Sequence, residues 1–243
     1  AAGDGKVECD DVTFTYPGET RPVLNDVSFC IEPGEKVGMI GRMGCGKSTI
    51  EKLILGFYQV DSGNILIDGV DINQLDPAHL RRHLNYLPQD ITLLRGDIRY
   101  NIAYRAPYVE DSVILRAARL AGVDAFVKNH PEGYGFQVNE GGTNLSGGQR
   151  QAIGLARTLL LEAPMILLDE PTNSMDSNSE QRLINRLQGH QQDATLLVVT
   201  HKMPVLKLVD RLIVIDQGKI KADGRKETVL EMLALPRQSG ETA

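Results

Sequence analysis

The chain has 243 residues and a formal net charge of −6, with 26 Lys and Arg against 32 Asp and Glu. That length suffices for one substantial core with room for an inserted subdomain. The acidic balance excludes a general electrostatic attraction to nucleic acid or anionic lipid, so any polyphosphate must be held by a local site. Three cysteines, Cys9, Cys30 and Cys45, are odd in number and lack paired spacing, which argues against a disulfide framework or zinc site and fits a reducing compartment. The longest apolar candidate, Leu159 to Leu168, is interrupted by Glu162 and Pro164 and falls well short of the roughly 18 residues of a membrane span. The chain starts at Ala1 with no signal-peptide pattern and reads as a fragment.

Val7 to Tyr16 and Val23 to Ile31, either side of Pro17-Gly18, predict an antiparallel layer of strands. Val37 to Ile40 is a short apolar run leading into a glycine-rich loop and then Ser48 to Leu55, which predicts strand, loop and helix. Ile65 to Ile67 and Val70 to Ile72 flank Asp68-Gly69, a tight hairpin signal. Asp76-Pro77 predicts a helix start running to about Arg82, and Leu84 to Leu87 a strand. From Gly96 to Leu161 the pattern turns helical, most clearly at Asp111 to Ala121 and Gly148 to Leu161. Met165 to Leu168, Thr195 to Val199 and Leu212 to Ile215 are compact apolar runs that suit strands of a parallel sheet buried on both faces. With Gly41 to Ser48 fitting G-x-x-x-x-G-K-[ST] directly after Val37 to Ile40, the expected fold is α/β: a P-loop NTPase core with a mainly parallel sheet, an antiparallel β layer and an inserted α-helical subdomain. Residues 1–95 and 162–243 form the layer and core in this division and 96–161 the subdomain, and the tail after Pro236 is expected to be disordered.

Gly41-Arg42-Met43-Gly44-Cys45-Gly46-Lys47-Ser48 fits G-x-x-x-x-G-K-[ST] between a predicted strand and helix. Glycines let backbone amides face phosphates, Lys47 can reach the β and γ phosphates, and Ser48 can ligate Mg²⁺. A dinucleotide fingerprint fits less well, because Thr49 stands where its third glycine belongs. Cys45 lies beside Lys47 and a helix start, surroundings that lower a thiol pKa. Asp169 closes a strand from which its carboxylate can hold the magnesium shell, and Glu170 beside it suits polarisation of an attacking water. His201 emerges after the strand Thr195 to Val199, at the sheet edge where ligands collect in α/β folds, placed to sense a γ phosphate. His79 and His83 have i, i+4 spacing, but Leu80 replaces the glutamate of H-E-x-x-H and no third ligand is evident, so a metal site is not expected there.

Leu145-Ser146-Gly147-Gly148-Gln149 opens the predicted helix with a good N-cap at Ser146 and two glycines that clear space for an anion. A second anion-binding helix start makes sense if two copies pair head to tail, one closing over the γ phosphate held by the other.

In this order and spacing the motifs resemble the ATP-binding cassettes of ABC transporters from Tyr16 to about Gly224. The resemblance implies that Tyr16 stacks on adenine and that Gln89 ligates Mg²⁺ with Ser48 and Asp169. It assigns the phosphate loop Gly41 to Thr49 to nucleotide binding, and Asn173-Ser174-Met175-Asp176 to communication between the two sites through Ser174 and Asp176. Lys47, Gln89, Glu170 and His201 would carry hydrolysis, with Leu145 to Gln149 acting in trans. Leu93 to Ile98 and Glu140-Gly141-Gly142 resemble exporter segments. Ala118 to Val123, His130 to Tyr134 and Gln149 to Ile153 resemble bacterial type I secretion ATPases of proteins, adhesins or toxins, with ATPases of lipid, peptide or drug exporters as the alternative. Asn139 and the sequence Asn173 to Asp176 depart from the usual residues of relatives.

The implied partners are a second copy, a fused transmembrane domain at the cytoplasmic face of a bacterial inner membrane, a membrane fusion protein and an outer-membrane channel, with no nucleic acid. A soluble non-transport cassette protein is a poorer fit, because neither tandem cassettes nor an inserted coiled coil is present. A stand-alone importer subunit lacks the exporter-like segments.

Overall fold

The computed structural model describes residues 3–42, 46–190 and 193–234. Met43, Gly44 and Cys45 of the phosphate loop and the tail after Pro236 lie outside the described residues. In chain order the first elements are β1 (Val7–Phe14), β2 (Leu24–Ile31), β3 (Lys36–Gly41), α1 (Lys47–Ile54), β4 (Ser62–Ile67), β5 (Val70–Asp71), α2 (Pro77–His83) and β6 (Leu84–Leu87). A second run holds β7 (Gly96–Asp97), α3 (Ile98–Ala103), α4 (Asp111–Ala121), α5 (Val123–Val127), β8 (Gln137–Val138) and α6 (Gly147–Thr158). The last comprises β9 (Met165–Asp169), α7 (Ser177–Leu187), β10 (Thr195–Val199), β11 (Arg211–Asp216), β12 (Lys219–Arg225) and α8 (Lys226–Ala234).

The larger sheet has the order β12-β11-β3-β10-β9-β6. Its pairs are parallel from β11 to β6, and only the edge strand β12 is antiparallel. The second sheet, β2-β1-β4-β5, is antiparallel, and Asp68 and Gly69 both take positive φ in its β4–β5 turn. The period-2 geometry of a strand sends successive side chains to opposite faces, and here each face has its own core. Met165 and Leu167 of β9 join β1, β2, β4 and α1, whereas Ile166 and Leu168 join the core built by helices α3 to α7. Leu197 and Val199 of β10, and Ile213 and Ile215 of β11, face the first core, while Val198, Leu212 and Val214 face the second. That is why these runs are continuously apolar rather than alternating.

Three features differ from the sequence expectation. The segment read as helical contains a short antiparallel pairing, Gly96 to Val138 and Asp97 to Gln137, which fastens the start of α3 beneath the loop that precedes α6. Strand β12 alternates exposed with half-buried residues at the sheet edge, with Ile220 and Ala222 its only apolar side chains, so it lacks the continuous apolar run that identifies the central strands. Helix α7 buries Glu180, Leu183 and Ile184, with Leu187 half-buried, and its other residues are polar; Asp176 caps it by accepting from the Ser179 N–H at 2.8 Å. Helix α2 starts as expected, with the Asp76 carboxylate accepting from the Ala78 N–H and Pro77 in the first turn. Within it the His83 Nδ1 lies 2.8 Å from the His79 carbonyl. No helix among the described residues is long and apolar enough to cross a membrane.

Candidate functional site

Strand β10 lies between β3 and β9, and all three run the same way. Their carboxyl ends therefore deliver three loops to one edge: Gly41 and the phosphate loop from β3, Asp169 and Glu170 from β9, and Thr200 and His201 from β10. Strand β6, next to β9, delivers Pro88 and Gln89 to the same edge. This is the edge at which open α/β sheets bind ligands.

Helix α1 begins at Gly46, whose φ of 103° is left-handed. A Cβ there would meet Leu24 Cδ2 at 2.6 Å and the Val23 carbonyl at 3.0 Å, so conformation and space both demand glycine. Among the described residues no side chain caps this helix, which leaves its first N–H donors and the positive end of its dipole for an anion. Lys47 is buried, donating its Nζ to the Gly41 carbonyl at 2.9 Å with Glu170 Oε1 at 4.0 Å. Ser48 Oγ donates to Asp169 Oδ1 at 3.2 Å. Burial raises the Asp169 pKa; the Ser48 bond opposes that rise and the neighbouring Glu170 charge adds to it. A hydroxyl and a desolvated carboxylate, both hard oxygen donors, fit a magnesium ion, whose charge would reverse the rise. Tyr16 donates to or accepts from Thr49 Oγ1 at 2.7 Å and packs edge-on against Phe14 and Tyr58, so its ring stands directly beside the helix that follows the phosphate loop. Arg42 is exposed.

Glu170 is 6% exposed and adopts a left-handed φ of 48°. Its Oε1 lies 2.8 Å from His201 Nδ1, and its Oε2 accepts from Thr200 Oγ1 at 3.3 Å. The carboxylate is thus oriented by the loop after β10, while the His201 ring remains 56% exposed. Gln89 is exposed, and among the described residues no hydrogen bond ties it to Ser48 or Asp169.

Sequence reading missed Glu51. It is fully buried on α1, and neither carboxylate oxygen has a hydrogen-bond partner among the described residues. Burial, with the charges of Asp169 and Glu170 adding, raises its pKa well above the usual carboxylate value. Above about pH 4.5 the unfolded chain therefore releases a proton that the folded chain keeps. Stability falls with pH by up to about 1.4 kcal/mol per unit across the window between the unfolded and the raised native value. A Glu51→Gln variant, with the shape of the neutral acid, is expected to lose this slope and to melt above the parent at pH 8 but with it at pH 4. Thermal melts across that range check this, and identical pH dependence in both proteins would contradict it.

The loop after Gly142 reaches α6 at Ser146 through a reciprocal capping box. Ser146 Oγ accepts from the Gln149 N–H at 3.1 Å, and the Ser146 N–H donates to Gln149 Oε1 at 3.0 Å. With its oxygen so engaged, the exposed Ser146 hydroxyl keeps its hydrogen to donate outward. Leu145 is buried as the anchor of this turn, and Gly147 and Gly148 are half-buried. Ser174 and Asp176 face the same cleft, a space of about 520 Å³ also lined by Arg182.

A linkage from half-buried Lys202 to buried Thr172 and Glu180 joins the loops after β9 and β10. Thr172 Oγ1 donates to Glu180 Oε2 at 2.5 Å, Lys202 Nζ pairs with that oxygen at 2.6 Å, and the same Nζ donates to the Thr172 carbonyl at 3.2 Å. Neither Glu180 nor Lys202 stands in a motif that sequence reading singled out.

The profile of the ABC transporter family matches residues 24–173. This chain belongs to the ABC transporter family. Among curated relatives of this ABC transporter chain, the ATP-dependent lipid A-core flippase of Vibrio cholerae is 42% identical over 229 residues, covering 93% of this chain and 39% of the relative. The flippase of the same name from Pseudomonas fluorescens is 42% identical over 230 residues, with 93% and 38% covered. A solved bacterial Atm1-family ABC exporter with ATP bound superposes with a TM-score of 0.91 at 33% identity, covering 96% of this chain and 41% of that one. The chain thus spans about two fifths of the length of these relatives, and its mixed α/β architecture is that of the family's ATPase domain.

Proposed function

We propose that this chain binds and hydrolyses Mg²⁺-ATP as the nucleotide-binding domain of an exporter, two copies closing head to tail around two nucleotides. The observation that carries the reading is the convergence of Lys47, Ser48, Asp169, Glu170 and His201 on one sheet edge, with Glu170 and His201 in a 2.8 Å contact. In this reading Lys47, the start of α1 and the loop Gly41 to Thr49 hold the phosphates, and Tyr16 stacks on the base. Ser48, Asp169 and Gln89 ligate Mg²⁺, Gln89 moving inward from its exposed position. Glu170 accepts the proton of the attacking water, and His201 orients it. Leu145 to Gln149, with Ser174 and Asp176, serve the partner's site. Residues 96–161 act as the helical subdomain, and 1–95 with 162–243 as the β layer and core.

Relatives more than twice as long support a fused transmembrane part, which would place the chain at the cytoplasmic face of the inner membrane. Relatives named for lipid A-core flipping favour a lipid substrate over protein secretion. Protein export by a type I system remains the second reading, on the strength of Ala118 to Val123, His130 to Tyr134 and Gln149 to Ile153. The names of the relatives lend no support to its membrane fusion protein and outer-membrane channel. Phosphate release from ATP by the purified chain is expected to require Mg²⁺ and to stop with EDTA; no release under any divalent condition would sink the reading.

A further inference from the structure

Gln151 lies on α6, a little over one turn from Ser146, and is 4% exposed. Its carboxamide makes two contacts with different loops: Nε2 donates to the Glu170 carbonyl at 2.8 Å, and Oε1 accepts from the Ser174 N–H at 3.0 Å. Only this orientation of the amide satisfies both, because one neighbour is an acceptor and the other a donor. The Glu170 peptide needs such support. Its φ of 48° is uncommon for a residue with a side chain, and its other backbone ties are its N–H to Val199 O at 2.8 Å and its carbonyl from Asn173 N at 3.2 Å. The start of α6 and the loop 173–176 are also packed without slack. A Cβ on Gly147 would meet Ser174 Cβ at 3.2 Å, and one on Gly148 would meet the Ser174 carbonyl at 3.1 Å. These two glycines admit a loop of their own chain, whatever they do for an anion.

We propose that Gln151 is a positioning residue that makes the α6 start, the loop 173–176 and the Glu170 peptide move as one body, so that contact of a partner's nucleotide with Ser146 and Ser174 sets the position of Glu170. The inference rests on the dimeric ATPase reading above. It gives each site a direct physical connection to the other: the face that closes on the partner's phosphate is hydrogen-bonded to the backbone of the residue that works in the chain's own site. A displacement of about 1 Å at such a group is enough to cost roughly a hundredfold in turnover.

The test is steady-state hydrolysis by the chain carrying Gln151→Met, which keeps length and removes both contacts, beside Gln151→Glu, which can make both when its carboxyl is protonated. For Gln151→Met we expect kcat to fall about tenfold or more. KM and the affinity for a fluorescent ATP analogue should stay within about twofold, and the Hill coefficient for ATP should drop to one. Gln151→Glu should regain turnover relative to Gln151→Met as pH is lowered from 9 to 6. Unchanged kcat and Hill coefficient in Gln151→Met would overturn the inference. So would a loss that follows the thermal midpoint, or equal losses in the two variants at every pH. An inactive parent chain would instead remove the ATPase reading on which it rests.

Discussion

A Glu170→Gln chain is expected to lose turnover by about 10²–10⁴-fold while binding ATP as tightly as the parent. The substitution keeps volume and can still contact the Thr200 hydroxyl and His201, which lie 3.3 and 2.8 Å from the carboxylate oxygens. What it removes is a basic oxygen on a side chain that is itself buried, Glu170 being 6% exposed. Because the residue is held at its backbone as well as its side chain, the amide should occupy the same place, so the loss reports proton acceptance rather than rearrangement. Phosphate release and equilibrium binding of a fluorescent ATP analogue measure the two quantities separately. Full turnover in this variant would mean that another group accepts the proton.

Lys47→Ala is expected to act at the opposite end of the reaction, on binding. Among the described residues Lys47 is the one buried cation within 4.0 Å of Glu170, with Nζ 2.9 Å from the Gly41 carbonyl. Hydrogen bonds to charged groups contribute about 1.5–3 kcal/mol, so its removal should weaken ATP binding by roughly ten- to a hundredfold. The loss should grow if the unbalanced Glu170 carboxylate also repels the phosphates. Calorimetric titration checks this, and an unchanged dissociation constant would show that the loop binds phosphate through backbone amides alone. The two variants therefore separate cleanly: one keeps the nucleotide and stops the chemistry, the other loses the nucleotide.

Much of this site was legible in the sequence because its residues follow short apolar strands directly. Val37 to Ile40, Met165 to Leu168 and Thr195 to Val199 announce three buried strands, and parallel pairing then brings Gly41, Asp169, Glu170 and His201 to one edge without further information. Signals that went unread include the serine and glutamine three apart at Ser146 and Gln149, which spell a capping box, and Gln217-Gly218, whose positive φ values make the turn into β12. Other features leave no trace in a linear pattern. Gln151 reads as one more polar residue of an alanine-rich helix, and only the approach of two loops from distant parts of the chain turns it into a bridge. Glu51 stands in no motif, yet it is fully buried on a helix that packs against β3 and β9. The Lys202 and Glu180 pair joins residues 22 apart, one on α7 and the other in the segment after β10 that packs against α7. The glycines after Ser146 were read as clearance for an anion, and the geometry adds a nearer neighbour, Ser174 of the same chain.

In the proposed dimer the sheet-edge site is completed by the α6 start of a second copy. The solution mass of the Glu170→Gln chain with and without Mg²⁺-ATP, measured by light scattering, tests this composite site. Blocked hydrolysis should leave nucleotide trapped between two copies, so the mass should double on adding Mg²⁺-ATP and return to that of one chain when Ser146→Arg is introduced as well. A chain that binds ATP yet keeps the mass of a single copy would contradict the composite site, as would a dimer indifferent to Ser146→Arg.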